Sequence, residues 1–236
     1  MGVFRFKKFA VDQTGCAMKV NTDGVLLGAL ASAEDPQQIL DIGTGTGVIA
    51  LMLAQRFPNA KVDAVEIDAS AAETAKKNFV TSIFNDRVCV YANSFESFLY
   101  DHPGRHYDLI ISNPPFFLNS LASASENKSL ARHTDMAFFE RLIESVSIHL
   151  SDTGKCQLIL PLPVAEMVKS LLNNYDLMLQ NVISIKSFEN SVPHREIITF
   201  GGSTVKFEDS NVVIYRKPKV YSDQYATLLK EFLTIF

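Results

Sequence analysis

From Ile39 onward, short apolar runs alternate with stretches in which apolar residues recur every three or four positions. Runs of that length bounded by turn residues read as buried strands, and the periodic stretches as helices covering them. The pattern predicts strands near 39–42, 61–66, 88–91, 107–112 and 155–160, with helices between them. One helix is expected over 69–82, with Asp68 as N-cap and Ala71, Ala75 and Phe79 on its buried face at i, i+4 and i+8. A second follows Asp135 and aligns Phe139, Leu142, Ile143, Val146 and Leu150 on one side. A third, near 162–174, carries Pro163 close to its first turn, where a missing N–H is tolerated. Such regular alternation of strand and helix makes a parallel sheet wrapped by helices on both faces.

After Asn174 the rhythm changes. Strands at about 177–186, 196–201 and 211–215 succeed one another without a long helix, so they are expected to be antiparallel partners at one edge of the sheet. A closing helix at roughly 222–234 is capped by Ser222 and turns Tyr225, Leu228, Leu229, Phe232 and Leu233 inward. Five parallel strands followed by antiparallel ones suggest an α/β fold of the seven-stranded type, mostly parallel with an antiparallel edge. With no repeat or low-complexity linker in the 236 residues, one domain is expected over 1–236.

Two segments on this frame carry chemistry. Asp41-Ile42-Gly43-Thr44-Gly45-Thr46-Gly47 follows the first core strand and opens a helix. Glycines there let the chain turn sharply and let a ligand approach main-chain N–H groups at the helix N-terminus. The spacing is not the G-x-G-x-x-G of dinucleotide sites, because Gly47 falls one residue early and Val48 fills the last position. A Walker A loop fails for want of G-K-[ST]. Glu66 ends the next strand, nineteen residues beyond Gly47, where a carboxylate can accept both hydroxyls of a ribose. The alternative is that Glu66 only caps its loop. A turn with Asp41 beside it suits an amino acid tail better than a diphosphate, which points to S-adenosylmethionine. Asn93, at the end of the third strand, stands where a side chain would read the adenine edge, although Asn also forms turns readily.

The second segment is Asn113-Pro114-Pro115-Phe116, ending the apolar strand Tyr107–Ser112. Exocyclic amines on bases and amides are poor nucleophiles because their lone pair is delocalised. Accepting both amino hydrogens draws the nitrogen toward tetrahedral geometry and frees that pair. The Asn113 amide oxygen can accept one hydrogen and the Pro114 carbonyl the other, while the prolines stiffen the loop. Phe116 offers a ring for stacking, worth about 1–3 kcal/mol per base. A bare proline turn is the alternative, but the carboxyl end of a parallel strand is where ligands of such sheets collect. The implied chemistry is methyl transfer to nitrogen.

Composition narrows the context. The net charge of −4 argues against indiscriminate coating of nucleic acid, yet Arg5, Lys7, Lys8 and Lys19 face only Asp12 among the first twenty residues. Arg216, Lys217 and Lys219 cluster near the other end. Cys16, Cys89 and Cys156 show neither a disulfide framework nor zinc spacing, and no metal is expected. The apolar run from Gly24 to Ala33 is shorter than the roughly 20 residues a bilayer span needs, so a cytoplasmic protein without membrane contact is expected.

The chain resembles the bacterial tRNA1(Val) (adenine-37-N6)-methyltransferase family of class I, Rossmann-like, S-adenosylmethionine-dependent enzymes. The resemblance is most specific over Cys16–Ala29 and continues through Leu40–Gly47, Val65-Glu66, Ile110–Phe116, Ala131–Thr134, Pro193–Arg195, Tyr221-Ser222 and Tyr225. It implies a segment 1–35 that covers the cofactor, core units over 36–174, and edge strands with a closing helix over 175–236. It also implies cofactor contacts from Thr22, Asp23, Asp41, Gly43, Thr44, Gly45, Glu66, Ile67, Asn93 and Ser94. Asn113, Pro114, Pro115 and Phe116 would handle the target base, and S-adenosylhomocysteine would be the product. Asn93 stands where the family usually has Asp, and Phe116 replaces a commoner Tyr.

The implied activity is methylation of adenosine N6 next to the anticodon of a valine tRNA by a monomer. Related motifs serve methyltransferases of ribosomal RNA and of protein glutamine, so those acceptors stay open, as does a non-catalytic cofactor-binding protein. Lys7, Lys8, Lys19, Arg132, His133, His194 and Arg195 are candidates to touch RNA. Each also has a plainer reading as a loop or surface residue. The alternating Phe4–Phe9 segment reads equally as a basic RNA-facing strand or as an edge strand guarded by lysines.

Overall fold

Glycine and polar punctuation divides the chain into strands and helices, several close to the expected bounds. The helix expected after Asp135 already begins at Ser125, and the strand expected from 155 takes in Leu150. The computed structural model describes residues 2–14, 19–115 and 125–236, with the backbone alone for 125–135. An N-terminal hairpin pairs β1 (Val3–Arg5) with β2 (Ala10–Asp12). Then come α1 (Thr22–Leu30), β3 (Gln38–Ile42), α2 (Val48–Arg56), β4 (Lys61–Glu66), α3 (Ala69–Thr81) and β5 (Val88–Ala92). The core continues with α4 (Phe95–Asp101), β6 (Tyr107–Ser112), α5 (Ser125–His149), β7 (Leu150–Leu160) and α6 (Leu162–Leu171). The remainder holds β8 (Met178–Lys186), β9 (Arg195–Gly201), β10 (Glu208–Val213), β11 (Tyr215–Lys217), β12 (Val220–Tyr221) and α7 (Asp223–Leu229).

The main sheet runs β10-β8-β9-β7-β6-β3-β4-β5. β3 lies between β4 and β6 in parallel register, with Ile42 opposite both Val65 and Ser112. Two expectations need correction. The sheet has eight strands rather than seven, and its far edge is not antiparallel throughout: β9 opposes β7 and β8, but β10 runs parallel to β8. The cause is the path after β9. Gly201 lies opposite Met178 at the start of β8, and residues 202–207 cross over that end before β10 begins beside Asn181. Gln180 Nε2 donates to the Ser203 carbonyl and pins the crossing. A Cβ at Gly201 would lie 2.6 Å from the Gly154 carbonyl oxygen, so only glycine permits this approach.

Alternate side chains of the central strands feed two cores. Ile39, Leu109 and Ile111 pack with α1, α2 and α7 on one face, where Leu26, Leu51 and Leu229 are fully buried. Leu40, Ile42 and Ile110 pack with α4, α5 and α6 on the other, against Phe98, Phe139, Leu142 and Val164. Burial on both faces explains why these strands read as continuous apolar runs. Asp68 caps α3 as expected, accepting from the backbone N–H groups of Ser70 and Ala71. The buried face of α3 passes through Ala72, Ala75, Asn78 and Phe79, and Ala71 is only half-buried. α7 ends at Leu229, five residues short of the expected end.

Gly47 shows how tightly the turn before α2 is built. It caps α2 with φ of 84°, in the left-handed region, and a Cβ there would lie 2.3 Å from the Phe79 ring. Gly47→Ala should therefore lower stability by about 1–3 kcal/mol, since backbone strain and the ring clash add. Thermal denaturation checks this, and an unchanged melting temperature contradicts it.

Candidate active site

The carboxyl ends of β3, β4, β5 and β6 open into one cavity of about 420 Å³. That lies within the roughly 300–1,000 Å³ of small-molecule sites. Its wall includes Gly43, Gly45, Glu66, Ile67, Asn93, Ser94, Asn113, Pro114 and Pro115. All of these were singled out in the sequence, although they come from four separate strand ends.

The glycine turn forms the floor. Gly43, Gly45 and Gly47 all have positive φ, at 72°, 56° and 84°. The N–H groups of Gly43 and Thr44 donate to the Val65 carbonyl at 2.8 and 3.1 Å, tying the turn to β4. A Cβ built on Gly43 or Gly45 meets nothing within 4 Å, so the backbone faces open space at both positions. The turn is a cradle that side chains would fill.

Glu66 stands across from it, buried at the end of β4. Its Oε2 accepts from Gly45 N at 2.8 Å and its Oε1 from Asp68 N at 2.9 Å. Both oxygens are thus fixed by the backbone, and each keeps acceptor capacity. Capping and ligand binding, set as alternatives in the sequence, are compatible here. Asp68, at the cavity mouth, is held below the ordinary carboxylate range first by the Ala71 N–H and then by Ser70.

Asp41 lies beneath the turn and outside the cavity wall. Its Oδ2 accepts from Thr44 Oγ1 at 2.6 Å and from Ala50 N at 3.1 Å. Its Oδ1 is buried without a partner among the described residues. Burial pushes this carboxyl up to about 7. An unpaired buried oxygen under an open glycine cradle fits a cation bound above it.

At the end of β5, Asn93 Oδ1 accepts from Ser94 N at 2.9 Å. Its Nδ2 has no partner among the described residues, leaving a donor for a ring nitrogen. The Ser94 hydroxyl caps α4 by accepting from Ser97 N at 3.1 Å.

Asn113 follows directly on β6. Ser112 is opposite Ile42, and its Oγ donates to the Ile42 carbonyl at 2.7 Å. Asn113 and Gly43 therefore continue adjacent strands, about 4.8 Å apart. The Asn113 side chain is half-buried and has no hydrogen-bond partner among the described residues. Without a partner among the described residues and beside the glycine cradle, this amide is placed to meet a ligand. Pro114 behind it is buried, and Pro115 is exposed. Phe116 lies outside the described residues, as do the side chains of Arg132 and His133.

Other expected residues stand elsewhere. Thr22 and Asp23 begin α1, and Asp23 Oδ2 accepts from Arg195 Nε at 2.9 Å, away from the cavity wall. Thr44 is buried under the turn. Lys7 donates to the carbonyls of Lys230 and Phe236, which makes it a tether between the termini. Lys8, Lys19 and His194 are exposed. Burial and then Arg195 push the His194 imidazole below its ordinary pKa.

The cavity also has a wall that no sequence signal marked. Phe95 meets Phe138 edge-on at 5.8 Å between centroids, and Arg141 Nε donates to Glu96 Oε1 at 3.1 Å. These residues meet only because α4 packs on α5. Among the described charged residues of the wall, Glu66, Asp68 and Glu96 outnumber Arg141, which favours a cationic ligand.

A family model described as "Methyltransferase small domain" matches residues 21–182. A tRNA1(Val) (adenine(37)-N6)-methyltransferase of Pedobacter heparinus is 49% identical over 233 residues, covering 99% of this chain and 98% of that protein. A protein of the same name from Bacteroides thetaiotaomicron is 39% identical, with 97% and 96% covered. Among solved structures, a predicted O-methyltransferase from Agrobacterium tumefaciens superposes with a TM-score of 0.67 at 19% identity, over 89% of this chain and 96% of that one. That likeness is one of fold.

Proposed function

The chain belongs to the tRNA1(Val) (adenine(37)-N6)-methyltransferase family, and from that membership we propose that it moves a methyl group from S-adenosylmethionine to N6 of adenosine 37 in a valine tRNA. When bound, S-adenosylmethionine supplies an electrophilic methyl on a sulfonium and leaves as a neutral thioether. The residues present fit it. The Gly43–Gly45 cradle and the unpaired Asp41 Oδ1 suit its amino acid end, Glu66 its ribose hydroxyls, and Asn93 Nδ2 a ring nitrogen of its adenine.

The observation that carries the reading is the placement of the Asn113 amide beside Gly43 in the same cavity as Glu66. Its oxygen accepts one N6 hydrogen of a target adenine and the Pro114 carbonyl the other. Held so, the nitrogen lone pair would be freed to take the methyl that bound S-adenosylmethionine supplies, and the proton then shed by the nitrogen would pass to water. To reach Asn113 the target must leave its stack, which is least costly for an unpaired loop nucleotide. The relatives' names favour tRNA over ribosomal RNA or protein glutamine as acceptor. We further propose that 1–236 acts as one domain and as a monomer. Among the described residues no helix is long and apolar enough to cross a membrane.

Methyl incorporation into transcripts tests this reading. A valine tRNA with adenosine at position 37 should be labelled, and one with guanosine there should not. Equal labelling of both would overturn it.

Asp41 predicts a pH signature. Its carboxyl titrates near 7 in the folded protein, above the ordinary 3.8. Between those values the native state holds a proton that the unfolded chain has lost. The stability contributed is therefore fully present below about pH 4 and declines as pH rises toward 7. A cationic ammonium above Asp41 favours the carboxylate, so binding should release a proton and tighten about tenfold from pH 6 to pH 8. Calorimetry with S-adenosylhomocysteine in buffers of different ionisation enthalpy measures the release. Asp41→Asn should abolish it.

A further inference from the structure

A second groove, of about 270 Å³, is lined by Phe4, Arg5, Asn21, Thr22, Tyr221 and Tyr225, with aliphatic side chains at its base. We propose that it binds an unpaired nucleotide of the RNA substrate, separate from the target base, between its aromatic walls and the Arg5 guanidinium. The assignment rests on the chain acting on tRNA.

Three observations carry it. The first is the aromatic wall. Tyr215, Tyr221 and Tyr225 stack in series, with centroids 5.3 and 5.0 Å apart and planes within 20° and 13°. Tyr221 stays 37% exposed at the end of β12, although large aromatic surface is normally covered. The hydroxyls of Tyr221, Tyr225 and Thr22 have no hydrogen-bond partner among the described residues. Tyr215 and Tyr225 stack on Tyr221 and Phe236 meets it edge-on, so what Tyr221 offers a ligand is its remaining exposed edge and its unsatisfied hydroxyl, which suit the polar edge of a nucleobase.

The second is charge. The stretch 211–222 contains Arg216, Lys217 and Lys219 and no acid, and all three cations are exposed. Arg5 lines the groove itself and the other three lie on the β11–β12 hairpin that carries Tyr221, in a chain of net charge −4; none of the four has an ion-pair partner among the described residues. The acid beside Thr22, Asp23, is already paired with Arg195, while Asp223 remains on α7. One cation in the groove and three on the adjoining hairpin match a phosphate backbone passing beside a bound base.

The third is placement. Val213 lies opposite Lys186 at the carboxyl end of β8, and Arg195 opposite Ile185. The β11–β12 hairpin leaves from Val213, and Asp23 ties the start of α1 to Arg195. The groove therefore opens at the same sheet edge as Asn113. Four strand intervals separate β6 from β10, about 19 Å along that edge. One RNA loop lying along the edge reaches both sites.

The test is equilibrium binding of a valine tRNA transcript at several salt concentrations, alongside melting temperature and calorimetry of S-adenosylmethionine. Tyr221→Ala should weaken tRNA binding about 5- to 100-fold, and Tyr221→Phe, which keeps the ring and loses only the hydroxyl, about 2- to 10-fold. The exposed Arg5→Gln keeps the tyrosine packing and should reduce the salt slope by about one. Cofactor affinity should not move in any variant. Binding and slopes unchanged in both Tyr221→Ala and Arg5→Gln, with the parent still methylating tRNA, overturn the groove alone. A parent protein that methylates no tRNA overturns the tRNA reading and the groove together. A dimer in sedimentation that Tyr221→Ala disperses would give the groove to a second copy and likewise overturn the proposal.

Discussion

Asn113→Ala is expected to bind S-adenosylmethionine as tightly as the parent protein while methylating tRNA about 10²–10³-fold more slowly at saturation, the loss typical of removing one aimed polar group from a transition state. The split follows from position. Asn113 has no hydrogen-bond partner among the described residues, so its removal leaves none of their buried groups unsatisfied. Ser112 holds the end of β6 to Ile42 independently of it. What is lost is an acceptor that matters most as the amine becomes tetrahedral, which places the effect on kcat rather than on cofactor binding. Asn113→Asp keeps an oxygen in place and should retain far more activity than Asn113→Ala. Single-turnover methyl transfer with tritiated donor separates these outcomes. Full turnover by Asn113→Ala would remove the acceptor role.

The second large effect belongs to the ribose end. Glu66→Ala should weaken S-adenosylmethionine binding by at least about 100-fold, because two hydrogen bonds to a charged acceptor, at about 1.5–3 kcal/mol each, disappear together. Some of that loss passes through the turn, since the Glu66 carboxylate also holds the N–H groups of Gly45 and Asp68. Melting temperature separates the two contributions: a variant folded as well as the parent yet weak for the cofactor assigns the loss to the ligand. Calorimetric affinity within about threefold of the parent would overturn the ribose assignment.

Much of this was legible in the sequence wherever one local rule acts alone. Strands buried on both faces give unbroken apolar runs, and β3, β4, β5 and β6 lie within one residue of their expected bounds. Asp68 caps its helix because a carboxylate before a periodic segment has little else to do. The cavity residues were legible for a topological reason. Parallel strands all end at one edge, so Gly43, Glu66, Asn93 and Asn113 must converge once each is placed at a strand end.

Features set by distant contacts were not legible. The direction of β10 depends on residues 202–207 crossing the start of β8, and four exposed residues, Glu208–Asn211, give β10 no apolar alternation to read. No amphipathic period marks α1 in the sequence, because its residues are buried on nearly every side. Arg195 and Asp23 were assigned to different ligands, and the structure pairs them over a separation of 172 residues. Lys7 looked like a free cation, yet the last residues fold back to accept from it. Phe138 and Arg141 join the cavity through helix packing alone, a contact that no spacing encodes.

The most direct test of the central claim joins both halves of the cavity in one ligand. An analogue that links adenosine through its N6 atom to the sulfur position of S-adenosylhomocysteine should bind more tightly than S-adenosylhomocysteine itself. Asn113→Ala should erase that gain and leave S-adenosylhomocysteine binding untouched. Equal affinity of the two ligands for the parent protein, or a gain that survives Asn113→Ala, would contradict an amine site at Asn113 facing the donor.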